Sequence, residues 1–120
     1  MTTDGTLVLL HNPRCSKSRA ARALLTERGV DFTERLYLDD PLTRSELSSL
    51  RERLGRPAVE WVRKGEAVFA DAGLDASSSE AAILDAMAEH PILIERPILV
   101  CGARAVVGRP PERVLEAPLG

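Results

Sequence analysis

The chain has 120 residues, of which 44% are hydrophobic and 28% charged, and a formal net charge of −2, the profile of one soluble globular domain over residues 1–120 with a single core. Only four aromatic residues and a slightly acidic balance argue against nucleic acid as a partner. No apolar run reaches the length of a bilayer span, and Met1-Thr2-Thr3-Asp4-Gly5 lacks the basic and apolar regions of a secretion signal, so the expectation is a cytoplasmic protein with no membrane partner.

The apolar run Thr6–Leu10 predicts a buried first strand. After His11-Asn12-Pro13-Arg14-Cys15, the residues Ala20, Ala21, Leu24 and Leu25 recur at helical spacing, which predicts a helix over Ser16–Arg28 with Gly29 as its stop. Cys15 therefore sits at a strand-to-helix joint. There a thiol meets the free N–H groups of the first turn and the positive end of the helix dipole. Arg14, Lys17 and Arg19, together with His11 if protonated, add local charge, and all of this favours the nucleophilic thiolate. The same donors suit a tetrahedral oxyanion lying against the sulfur. Polar neighbours and Pro13 speak against a buried structural cysteine.

Val30–Leu38, with β-branched and aromatic residues, predicts a second strand ending at Asp39-Asp40-Pro41. Thr43 and Glu46 form a capping box for a helix bearing Leu47, Leu50 and Leu54, ended by Gly55. Pro57 opens a short helix toward Arg63-Lys64, with Gly65 as its stop. The stretch Ala70–Ser79 is the best candidate for a mobile loop, and Ser77 with Glu80 forms a second box, for a helix bearing Ile83, Leu84 and Met87 and closed by His90-Pro91.

Ile98–Val100 and Ala105–Val107 read as a hairpin turning at Gly102-Ala103, followed by a short helix near Glu112–Leu115. Cys101, at the end of an apolar run, is a strand residue rather than a redox partner, and two cysteines with two histidines show no zinc spacing. Strands one and two, joined through a helix, lie parallel by the crossover rule. The expected architecture is α/β, a mixed four-stranded sheet with helices packed on it, the thiol just past the C-terminal end of strand one.

The motif His11-Asn12-Pro13-x-Cys15-x-x-Ser18-Arg19 is followed in order by Tyr37-Leu38, Trp61-Val62-Arg63-Lys64, His90-Pro91-Ile92-Leu93-Ile94-Glu95-Arg96-Pro97 and Gly108-Arg109-Pro110. This ordered set resembles the glutaredoxin-coupled arsenate reductase family from about Thr6 to Leu115. The resemblance implies a thioredoxin-like fold with a helical insertion, about residues 43–90, between strands two and three. It implies that Cys15 attacks arsenate, that His11, Ser18 and Arg19 help activate the thiolate, and that Arg63, Arg96 and Arg109 hold the oxyanion. It also places a cis bond before Pro97. Arginine forks suit that task, while a lone histidine near a strand end serves equally well to cap a carbonyl.

No bound metal or organic prosthetic group is indicated by the sequence, and the resemblance implies glutathione as cosubstrate. Ser18 occupies the place where a C-x-x-C enzyme keeps its resolving thiol, so an outside dithiol, glutaredoxin in the family, must clear the mixed disulfide. Two other readings stand beside this one. One is a glutathione-dependent thiol reductase without arsenate activity; the other is a thioredoxin-like transcriptional regulator that binds RNA polymerase, for which the second cysteine is missing.

Overall fold

The computed structural model describes residues 7–117. β1 (Leu7–Leu10) leads into α1 (Ser16–Glu27), and β2 (Thr33–Arg35) returns beside it. The insertion comprises α2 (Arg44–Leu54), α3 (Ala67–Asp71) and α4 (Glu80–Glu89), with 3₁₀ turns at Ala58–Glu60 and Pro91–Leu93. The hairpin β3 (Ile98–Cys101) and β4 (Arg104–Val107) follows, then a 3₁₀ turn at Pro111–Glu116. Thr6, assigned to the first strand from sequence, lies outside the described residues.

The sheet has the order β2-β1-β3-β4, with β1 and β2 parallel and the other pairs antiparallel. This is the expected thioredoxin-like arrangement of a mixed four-stranded sheet with helices. Side-chain alternation along β1 divides the core in two. Leu7 and Leu9 pack with Ala21 and Leu25 of α1 and with Leu99, Cys101 and Val114. Leu10, with Ile98 and Val100, packs against Leu47, Leu50, Trp61 and Met87 of the insertion. Because β3 is buried on both faces, Ile98-Leu99-Val100-Cys101 reads as an unbroken apolar run.

Register then decides what meets at one end of the sheet. Leu10 stands opposite both Arg35 and Ile98, so the loop after β1, the turn after β2 and the segment before β3 converge there.

Local signals fixed some boundaries and misplaced others. α2 starts at the Thr43–Glu46 capping box and ends at Gly55, whose φ of 64° is the left-handed conformation that glycine adopts without strain. The second strand is confined to Thr33–Arg35 and does not reach Leu38, because Leu36 O accepts from Asp39 N (2.9 Å) and Asp40 N (2.8 Å) and folds the chain into a turn. That turn buries Tyr37 completely. The helix expected from Pro57 toward Arg63 is only the 3₁₀ turn Ala58–Glu60; Val62 then pairs with Ile94 in an antiparallel bridge. α4 is capped by Ser79, not Ser77: Ser79 Oγ accepts from Ala82 N (3.1 Å), while Asp75 Oδ1 captures Ser77 N (2.8 Å) and Oγ (2.6 Å). Ala70 and Asp71, assigned to a loop, close α3, which the sequence reading did not include.

Gly108 marks a close approach. Its N–H donates to Pro97 O (2.8 Å), and a Cβ there would lie 2.8 Å from Pro97 Cγ and 2.9 Å from Val114 Cγ1. Neither atom ends a flexible side chain. Gly108→Ala is expected to lower stability by about 1–3 kcal/mol through overpacking, read as a lower urea midpoint at constant m-value; an unchanged midpoint would show that the contact yields without strain.

Candidate active site

Cys15 is the N-cap of α1, with extended backbone (φ −94°, ψ 124°). Its loop is closed by three short-range hydrogen bonds. Cys15 N donates to Asn12 O (3.0 Å), Arg14 N to Asn12 Oδ1 (3.0 Å), and Asn12 N to the hydroxyl of buried Ser18 (3.2 Å). Ser18 thus ties the loop down with its side chain while its backbone N–H faces the sulfur.

Partial burial pushes the Cys15 thiol up, but the Ser18 amide, the Arg96 side chain and the Lys17 amide together outweigh it, and the net shift is downward. No strict capping hydrogen bond closes on the sulfur; the amides act as nearby dipoles on an anion. Arg109 Nη2 lies 3.8 Å from Sγ. The guanidinium groups at the thiol therefore come from segments far from it in sequence, flanking β3 and β4.

The cations adjacent in sequence are placed differently. Arg14, Lys17 and Arg19 are exposed, and Arg19 Nη1 donates to Pro13 O (2.9 Å), bracing the loop rather than touching the sulfur. His11 is 4% exposed. Burial holds it below the usual histidine range, with Glu34 opposing and Arg22 and Arg19 reinforcing, so its neutral form is favoured. Its backbone N–H donates to Arg35 O (2.9 Å), and Nδ1 has no partner, so it caps no carbonyl through that atom.

Arg63, Arg96 and Arg109 arrive from three separate segments and meet around two carboxylates. Glu95 Oε1 accepts from Arg63 Nη1 (2.8 Å) and Arg96 N (3.1 Å) and lies 3.0 Å from Arg109 Nε. Glu66 Oε1 accepts from Arg63 Nε (3.1 Å) and lies 3.9 Å from Arg96 Nη1. Arg109 Nε also donates to Arg96 O (2.8 Å). Arg96 has the most buried of the three side chains, 12% exposed against 23% and 34%. Its Nε and Nη1 are buried with no hydrogen-bond partner, donors left free for an acceptor from outside. Cis peptide bonds precede Pro97 and Pro110; the second was not foreseen from sequence.

Sequence reasoning did not single out Glu66, Glu95, Asn12 or Tyr37 for the site. Glu95 lies inside the His90–Pro97 motif, but nothing local reveals that it gathers Arg63 from the other side of the insertion. Cys101 pairs with Leu7, at the opposite end of β1 from Leu10, and burial pushes its thiol up. The expected chemical contrast is testable by alkylation. Because the Cys15 shift is downward, its thiolate persists at pH values below the usual thiol range near 8.5, and its rate with iodoacetamide falls only as pH drops through that lowered midpoint. Peptide mapping by mass spectrometry should find Cys101 unlabelled in the same folded samples; a Cys15 midpoint at or above the ordinary range would refute the activation.

The ArsC family model matches residues 10–117. Over 110 residues the chain is 46% identical to the uncharacterized protein YfgD of Escherichia coli (strain K12), covering 90% of this chain and 92% of that one. It is 43% identical over 108 residues to an arsenate reductase of Neisseria meningitidis, covering 88% and 92%. An arsenate reductase structure from Vibrio cholerae superimposes with a TM-score of 0.88 at 43% identity, covering 93% of this chain and 97% of that one.

Proposed function

The chain belongs to the ArsC family, and from that membership we propose that it is a glutathione- and glutaredoxin-dependent arsenate reductase. The observation that carries this reading is the pairing of a thiol shifted toward its anion with Arg96, whose buried Nε and Nη1 have no hydrogen-bond partner, Nη1 having only a long ion pair to Glu66 at 3.9 Å.

In the proposed cycle the Cys15 thiolate bonds to arsenic and one arsenate oxygen leaves, protonated, as water. Glutathione thiolate then attacks that adduct at sulfur. The S–As electron pair returns to arsenic, which departs as arsenite, and Cys15 is left in a mixed disulfide with glutathione. Two thiols have been oxidised and arsenic has gained two electrons. The buried Ser18 hydroxyl cannot resolve the disulfide, so a glutaredoxin thiol removes the glutathione from Cys15.

The arginines bind the anion and stabilise charge shifting among its oxygens, and their pre-fixed geometry removes reorganisation from the chemical step. A groove of about 560 Å³ runs from Glu95 and Arg109 past Arg56, Glu60, Arg113 and Glu116. It is roomy enough for a tripeptide, and its arginines are each paired with a glutamate of the same groove, Arg56 with Glu60, Arg109 with Glu95 and Arg113 with Glu116.

The test is arsenate-dependent NADPH oxidation in the presence of glutathione, glutaredoxin and glutathione reductase, with one glutathione trapped on Cys15 when glutaredoxin is omitted. Absence of both would sink the proposal. One observation favours the second reading, a glutathione-dependent thiol reductase: Glu66 and Glu95 already neutralise much of the arginine charge. Turnover of a glutathione mixed disulfide with no response to arsenate would select it.

A further inference from the structure

Tyr37 is the chain's single tyrosine. It is fully buried, and its hydroxyl has no hydrogen-bond partner. Phenylalanine would fill the same space without desolvating an O–H, so an orphaned phenol here calls for an acceptor from outside.

Its position supplies that acceptor's address. Tyr37 lies two residues past the end of β2 and Arg96 two residues before β3, while Cys15 follows β1 between them. Leu10 of β1 is in register with both Arg35 and Ile98, so all three residues leave the sheet at one end. Tyr37 belongs to the apolar cluster that also holds Trp61, Val62, Leu93, Ile94 and Ile98, the chain neighbours of Arg63 and of Arg96. Arg96 Nε and Nη1 are buried without a hydrogen-bond partner in the same region.

We propose that Tyr37 is a fourth oxyanion-binding residue, its O–H donating, together with the free donors of Arg96, to the most deeply seated oxygen of a tetrahedral anion bound at Cys15. This rests on the oxyanion reading of the site and extends it to a neutral donor. Burial pushes the phenol up to about 12, against Arg96 and Arg63 and reinforced by Cys15 and Glu95, so the O–H remains a donor at any working pH. Cys15 itself is partly exposed, so an anion can reach the sulfur from solvent.

The test measures how well inorganic arsenate and phosphate protect Cys15 from iodoacetamide, in the native protein and in Tyr37→Phe. The half-protecting concentration should rise about tenfold in Tyr37→Phe, with the anion-free alkylation midpoint unmoved and the Tm no lower. A 3-fluorotyrosine label, unique in this chain, should shift its ¹⁹F resonance on phosphate addition, saturating where protection does; this measurement needs no substitution. Equal protection in Tyr37→Phe, a silent ¹⁹F signal at saturating phosphate, or a moved alkylation midpoint at constant anion affinity would each overturn the proposal. If phosphate protects and shifts the label but arsenate is never reduced, the arsenate reading fails and the Tyr37 assignment stands. If neither anion protects the native thiol, both fall.

Discussion

Cys15→Ser is expected to cut arsenate-dependent NADPH oxidation by more than about a thousandfold, since removal of a covalent nucleophile typically costs that much or more. Serine fits the same space, yet its hydroxyl is almost wholly protonated at neutral pH, and nearby amides and guanidinium groups cannot make an alkoxide of it. The fold should survive, because Cys15 takes part in the loop through its backbone N and O, and the sulfur is only partly buried. Circular dichroism and Tm close to the native values would confirm that the loss is chemical. Retained reductase activity in a folded Cys15→Ser protein would refute the covalent mechanism outright.

Arg96→Ala should lower kcat/KM for arsenate by about 10²–10³-fold, the range seen when one preorganised donor to a developing charge is removed. The same change should raise the Cys15 alkylation midpoint, because the Arg96 side chain helps hold that thiol down through both a hydrogen bond and its charge. The two readouts together separate a site role from a structural one. Arg96 N and O, which hold Glu95 and Arg109, remain in the alanine variant. Lysine should restore charge without the fork of donors and recover little of the lost rate. Unchanged kinetics with an unchanged midpoint would remove Arg96 from the site.

The placement of Cys15 at the head of its helix was legible because the signals are local: an apolar strand, a proline-containing loop, then helical spacing. The α2 capping box and the β3–β4 hairpin were legible for the same reason. The source of positive charge at the sulfur was not. Arg14 and Arg19 are near in sequence but point to solvent or brace the loop, whereas Arg96 and Arg109 are brought in by strand register. Arg63 could not be told from Arg51 or Arg56 by composition alone. The resemblance alone picked it out, and the folded chain supplies the physical difference: Arg51 pairs with Glu80 and Arg56 with Glu60 on the surface, while Arg63 reaches Glu66 and Glu95. The Val30–Leu38 segment carries the residues of a strand, yet the buried turn at Tyr37 overrides that propensity. Ser77 and Ser79 are comparable capping residues, and Asp75 decides between them by holding Ser77.

The bridge between Val62 and Ile94 closes a ring of chain through two main-chain bonds, Arg63 N to Leu93 O (2.7 Å) and Glu95 N to Trp61 O (3.0 Å). Backbone atoms therefore set the spacing between the segments bearing Arg63 and Arg96, whatever side chains decorate the rest of the ring. Lengthening or shortening the exposed stretch near Asp75 would be absorbed inside that closed circuit, which leaves the insertion free to diversify while the footprint offered to an anion stays constant.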